Sequence, residues 1–120
     1  MHNIAMEFVL DALSGLPIRD EDIVIVLTNA IDNAINAAKK SESKLIQVFM
    51  YYKNDEFLCA IKNSISKKVL IENNEVIRVN SDIYHGYGLK NIRSAISKYD
   101  SHLILESTDD RFILTISINF

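Results

Sequence analysis

The end of the chain constrains the fold most. Phe112, Leu114, Ile116, Ile118 and Phe120 recur with a clean period of two. That is the spacing of a β-strand with one apolar face and one face toward water. Such a strand needs neighbouring strands beside it and a second layer over its apolar face. The rest of the sequence supplies both. Ala5 to Asp11 alternates, with Met6, Phe8 and Leu10 on one side, and predicts a short strand before the Ser14-Gly15-Leu16-Pro17 turn. Leu45 to Lys53 and Glu56 to Asn63 predict two strands joined by a turn at Asn54-Asp55. Phe57, Cys59 and Ile61 share one face of the second of these, and Asn63 continues their row. A strand at His102 to Ser107 and a turn at Asp109-Asp110 lead into the last one.

Two helices provide the covering layer. Asp20 or Asp22 can cap the first, which runs to about Lys40 with acidic residues at its start and lysines at its end, as the helix dipole prefers. The second runs from about Leu89 to Lys98. Between them, Ser64 to His85 is polar, carries Asn73-Asn74, and has only short apolar islands such as Val69-Leu70-Ile71. A stretch this long without clear structure inside a domain is usually functional or mobile. The order is strand, helix, two strands, long loop, helix, two strands. It predicts an α+β two-layer sandwich with helices over one face of a mixed sheet, forming one domain over residues 1–120.

Composition removes several classes of function. A net charge of −3 argues against broad nucleic-acid binding, which needs a basic surface to displace counterions. No run approaches the roughly 20 apolar residues of a membrane span, and the first residues lack the pattern of a signal peptide. His2, His85 and His102 are too scattered to suggest a zinc site. The one cysteine, Cys59, lies in an apolar alternation and reads as core; without a partner it points to a reducing cytosol.

Two features carry chemistry. Read at 100° per residue, Ile23, Leu27, Ala30, Ile31, Ala34 and Ala38 form an apolar stripe on the first helix, and Asn29, Asn33 and Asn36 fall in a narrow sector on the opposite side. Asparagine is a poor helix former because its amide competes for backbone hydrogen bonds. The sector is either a solvated face or a set of amide oxygens presented to a hard cation such as Mg²⁺, which needs few protein ligands. Second, two of only three glycines bracket Tyr87 in His85-Gly86-Tyr87-Gly88-Leu89-Lys90-Asn91, where a loop meets a helix. Glycine there permits close backbone approach, and a helix start offers free N–H groups to phosphate. A plain loop-to-helix hinge is the other reading. The Walker pattern is absent, and Asn91 stands where a dinucleotide fingerprint needs its third glycine.

Together these features resemble the GHKL ATP-binding fold shared by histidine kinases, gyrase, Hsp90 and MutL. The closest likeness is to the catalytic domains of peptide-pheromone quorum-sensing sensor kinases. Leu27-Thr28-Asn29-Ala30-Ile31-Asp32-Asn33-Ala34-Ile35-Asn36-Ala37 is similar to their N box, and His85 to Ile92 to their G2 box. The resemblance implies ATP and Mg²⁺ as cofactors, with Asn33 coordinating the metal. It places Asn29 where gyrase-like ATPases carry a glutamate base. An amide cannot take a proton from water, so the γ-phosphoryl group is kept for an imidazole nucleophile. Asn63 stands where many relatives have the adenine-reading aspartate of a DxGxG box, but Asn63-Ser64-Ile65-Ser66 lacks the glycines, a reduced form common in the quorum-sensing branch. Ser64 to His85 would be the ATP lid. Gly86, Tyr87, Gly88, Leu89, Lys90 and Asn91 would hold phosphates with His85, and Lys90 is either a phosphate contact or a solvated lysine. Many kinases carry a lysine three residues after the metal-binding asparagine; here it is Asn36.

No histidine suits the phosphoacceptor role. The resemblance therefore implies a cytosolic fragment of a larger, membrane-anchored kinase, monomeric alone and homodimeric when intact. Its partners would be a histidine-bearing dimerisation domain and a response regulator downstream. The competing readings are an anti-sigma-type serine kinase of the same superfamily and a nucleotide-responsive interaction module without phosphotransfer.

Overall fold

The computed structural model describes residues 3–77 and 87–120. Its elements are β1 (Ala5–Asp11), α1 (Asp20–Ala38), β2 (Leu45–Lys53), β3 (Glu56–Ser64), β4 (Ile71–Glu72), β5 (Glu75–Val76), α2 (Tyr87–Ile96), β6 (Asp100–Ser107) and β7 (Arg111–Asn119). Five strands form one sheet in the order β1-β2-β3-β7-β6. β1 runs parallel to β2 and the other neighbours are antiparallel. The parallel pair follows from α1, because a parallel neighbour must be reached by a crossover and a helix supplies its length. The β2–β3 pair follows from Asn54 and Asp55. Their φ values of 52° and 62° make the two-residue turn that matches strand twist.

Alternation along each strand gives the sheet one apolar face. Val48, Ile61, Leu114 and Leu105 stand opposite one another in a row across four strands, and Met50, Cys59, Ile116 and Leu103 form the next. All eight are buried. Cys59 lies in this core as its alternation predicts, and burial pushes its thiol up to about 12. α1 lies over β2 and β3, and α2 packs beside α1. Val26, Ala30, Ala34, Ala37 and Ala38 are the buried apolar residues of α1, and these short side chains let its axis come close to the sheet. From α2, Leu89, Ile92, Ala95 and Ile96 complete the core.

The mixed α+β sandwich matches the sequence expectation, with four local differences. The buried face of α1 is rotated from the stripe read off the sequence: Ile23, Leu27 and Ile31 are only half-buried. The asparagine sector consequently flanks the buried face and is not opposite it. Neither Asp20 nor Asp22 caps α1, whose N-cap is Arg19 without a side-chain cap bond. β1 forms, but all seven of its residues are exposed. Its register places Met6, Phe8 and Leu10 on the helix-bearing side, at an edge beyond β2. Finally, part of the predicted long loop is ordered: Ile65 and Val69 are buried, and β4 and β5 pair around Asn73 and Asn74 at φ values of 52° and 59°.

Candidate functional site

The two motifs meet where α2 starts. A Cβ added to Gly88 would lie 2.6 Å from Asn33 Nδ2 and 3.0 Å from its Oδ1. Real Cβ atoms do not approach that closely, so the backbone of α2 sits against the Asn33 carboxamide only because residue 88 is glycine. Asn29, one helical turn earlier, donates from Nδ2 to the Ile25 carbonyl at 2.8 Å. Its Oδ1 accepts a long contact from Asn91 Nδ2 at 3.5 Å. Asn29 and Asn33 thus face the first turns of α2. Lys90 and Asn91 are exposed, while Leu89 is buried in the core. His85 and Gly86 lie outside the described residues, and Tyr87 opens α2.

Asn63 ends the apolar row of β3, opposite Ile46 and Phe112, and is 2% exposed. Its Nδ2 donates to the Ser64 carbonyl at 3.1 Å. Ser64 Oγ lies 2.6 Å from Ser41 Oγ and accepts from the Leu45 N–H at 2.9 Å. Ser41 Oγ also bonds the Ala38 carbonyl at the end of α1. These buried hydroxyls tie the end of β3 to the end of α1. Asn63 therefore lies near the C-terminal end of α1.

Asp22, Ile25, Asn29, Asn91, Ser94, Ala95 and Lys98 line a groove of about 320 Å³ between the helices. At its floor the Asp22 carboxylate, 2% exposed, accepts from the Tyr99 hydroxyl at 2.6 Å and from Lys98 Nζ at 2.9 Å. Tyr99 Oη in turn accepts from the Arg19 N–H at 3.1 Å. Asp22, one of the two candidate caps with Asp20, is thus a core anchor between the helices. Its spacing carries the signal, since Asp22 lies four residues before Val26 and eight before Ala30, on the flank of the same buried face. The Tyr99 and Lys98 bonds hold the Asp22 carboxyl below its usual value of 3.8. A depressed carboxylate stabilises the fold above its unfolded value, and that contribution is lost as pH falls through the folded value. Asp22→Asn is expected to flatten the loss of thermal stability below about pH 4. A pH series of melting temperatures checks this, and an unchanged acid limb counts against it.

The sequence pattern that defines the GHKL domain matches residues 19–119. The chain belongs to the GHKL family. Solved structures agree on the fold. The Acinetobacter baumannii histidine kinase AdeS superimposes with a TM-score of 0.71 at 17% identity, over 98% of this chain and 55% of that one. The nucleotide-free catalytic domain of the histidine kinase ThkA gives 0.68 at 18% identity, over 95% of this chain and 78% of that domain. A blue-light activated histidine kinase from Erythrobacter litoralis gives 0.67 at 12% identity, over 95% and 54%. The GHKL domain described here thus spans about half of the AdeS chain. No curated protein matches it by sequence.

As a GHKL domain the chain is an ATP-binding domain with the fold of histidine kinase catalytic domains. Its residues fit a magnesium-bound nucleotide. Among the described residues no group of three or more His, Cys, Asp or Glu could hold a metal ion. An ion here would take its oxygens from an amide, from water and from substrate phosphates, which is the habit of Mg²⁺. The Asn33 amide pressed against the α2 backbone at Gly88 offers such an oxygen at the start of a helix.

Proposed function

We propose that this domain binds Mg·ATP between α1 and α2 and transfers the γ-phosphoryl group to a histidine on a separate dimerisation domain. The contact between Asn33 and Gly88 carries the reading, because it joins the metal-binding motif to the phosphate-binding motif in one place. Asn33 would ligate Mg²⁺, and Gly88, Leu89 and Asn91, with His85, Gly86, Tyr87 and Lys90, would surround the phosphates. When bound, the metal neutralises charge on the β- and γ-phosphates. Asn63 would accept a hydrogen bond from the adenine amino group.

Asn29 supplies no base. Water is therefore not activated, and the nucleophile is an imidazole nitrogen brought by the partner. The bond from the γ-phosphorus to the β–γ bridging oxygen breaks, a phosphorus–nitrogen bond forms, and the imidazole gives up its proton to solvent. ADP leaves with the electron pair. Catalysis rests on positioning and on charge neutralisation.

The likeness of the two boxes and the glycine-free Asn63-Ser64-Ile65-Ser66 favour a quorum-sensing sensor kinase, homodimeric and membrane-anchored when intact, with this domain in the cytoplasm and a response regulator downstream. Calorimetric titration with a non-hydrolysable ATP analogue tests the reading. Binding is expected to be tightened at least tenfold by Mg²⁺, equivalent to about 1.4 kcal/mol. Labelled phosphate should then reach an added histidine-hairpin fragment as an acid-labile adduct. No magnesium-dependent affinity would sink the proposal. Acid-stable phosphoserine on a partner would select the anti-sigma-type kinase, and partner binding without transfer the interaction module.

A further inference from the structure

The Asn73-Asn74 pair, noticeable already in the sequence, sits at the turn of the β4–β5 hairpin. Asn74 Nδ2 donates to the Leu103 carbonyl at 2.5 Å, and its Oδ1 accepts from the Leu105 N–H at 2.8 Å. These two backbone groups lie on the open side of β6, the edge strand of the sheet. One side-chain amide thereby replaces the strand that would otherwise pair there. Val69 N–H adds a second tie, donating to Ser107 Oγ at 3.0 Å. From α2, Arg93 Nη2 donates to the Asn74 carbonyl at 2.6 Å and reaches Glu75 Oε1 at 3.4 Å. The ion pair is largely exposed and contributes little. The charged bond to a carbonyl is short and directional.

We infer that Asn74 and Arg93 form a latch that fixes the β4–β5 hairpin, the edge of β6 and α2 to one another, and that both are positioning residues for the phosphate-facing start of α2. This rests on the nucleotide reading proposed above. Leu89, Ile92, Ala95 and Ile96 hold α2 on the core by apolar contact, which is non-directional and tolerates sliding. Arg93, on the flank of the helix, ties it to a hairpin that Asn74 has already locked to the sheet. The position of Gly88 against Asn33 is then set by hydrogen bonds as well as by packing. None of these partners is near in sequence: Asn74 lies 29 and 31 residues from its β6 partners and 19 from Arg93.

The test uses the whole chain. Asn74→Gly removes the amide and keeps a residue suited to the positive φ. Arg93→Ala keeps a good helix former on α2. Hydrogen exchange of the Leu105 amide is expected to quicken about tenfold in Asn74→Gly, and by a similar factor in Arg93→Ala, whose side chain bonds Asn74 and Glu75. The double variant should exchange no faster than Asn74→Gly, as members of one unit do. Affinity for the Mg·ATP analogue should fall about three- to tenfold in each single variant, with affinity for adenosine unchanged. The latch is overturned if Arg93→Ala leaves Leu105 exchange as in the parent, or if the two effects multiply. Equal weakening of ATP analogue and adenosine would reduce both residues to general stability. Should the parent chain bind no nucleotide, the functional reading fails, and the exchange data decide the latch by themselves.

Discussion

Replacing Gly88 with alanine is expected to remove magnesium-dependent nucleotide binding while leaving the free domain as stable as before. The added Cβ would lie 2.6 Å from Asn33 Nδ2, 3.0 Å from Oδ1 and 3.2 Å from Cγ. These three nearest atoms belong to the end of one short side chain, which can swing aside. Forcing it off its rotamer costs about 1 kcal/mol. Alanine in place of glycine in a helix recovers up to about 1 kcal/mol. The two effects nearly cancel, so melting of the free chain should shift by only a few degrees, roughly. Binding cannot compensate in the same way. A metal ligand must sit within a few tenths of an ångström of its position, roughly, and the carboxamide has been displaced by more than that. Loss of the metal contribution should weaken the Mg·ATP analogue about 100-fold, or about 2.7 kcal/mol. Asn33→Ala reaches the same end by deleting the ligand, and the two together should be no worse than either. Full magnesium-dependent affinity in Gly88→Ala would show that the contact between the motifs has no part in binding.

That contact marks the boundary of what the chain's pattern reveals. The period of two from Phe112 to Ile118, the turn at Asn54-Asp55 and the place of Asn63 on the Cys59 row are local properties, and each appears in the structure as the residues predict. The phase of α1 was less legible. Counting from Ile23 favoured the bulky residues Leu27 and Ile31, yet the sheet selected the face with Val26, Ala30, Ala34 and Ala37, because short side chains allow closer packing. With that rotation Asn29 and Asn33 turn toward α2. Asp22 could be read as a cap because acidic residues suit a helix start. Its real partners, Tyr99 and Lys98, lie 77 and 76 residues away. The β4–β5 hairpin is not legible in the sequence for a related reason. Strands of two residues carry no periodicity, and what holds them is Asn74 bonded to an edge strand far along the chain.

Asn63 permits a sharper test of adenine recognition. It is 2% exposed between Ile46 and Phe112, so leucine of similar size should be accepted there. The Ser64 carbonyl loses the bond from Nδ2, a cost of about 1 kcal/mol that apolar burial offsets. The folded chain therefore survives, but the acceptor for the adenine amino group is gone. Leaving that amino group unpaired in a closed site costs about 1–3 kcal/mol. Affinity for the ATP analogue should fall about ten- to 100-fold, and the preference for adenine over guanine nucleotides should vanish. Asn63→Asp distinguishes hydrogen bonding from mere polarity. Aspartate restores an acceptor but sets a carboxylate oxygen against the Ser64 carbonyl, where Nδ2 now donates. The buried carboxyl would take up a proton more readily than in the unfolded chain, so its folded value rises. Stability is then greatest below the unfolded value of about 3.9 and declines as pH rises through the folded one. The aspartate variant should accordingly be less stable than the parent at neutral pH, with the gap narrowing toward acid. Undiminished adenine preference in Asn63→Leu would move base recognition to another part of the domain.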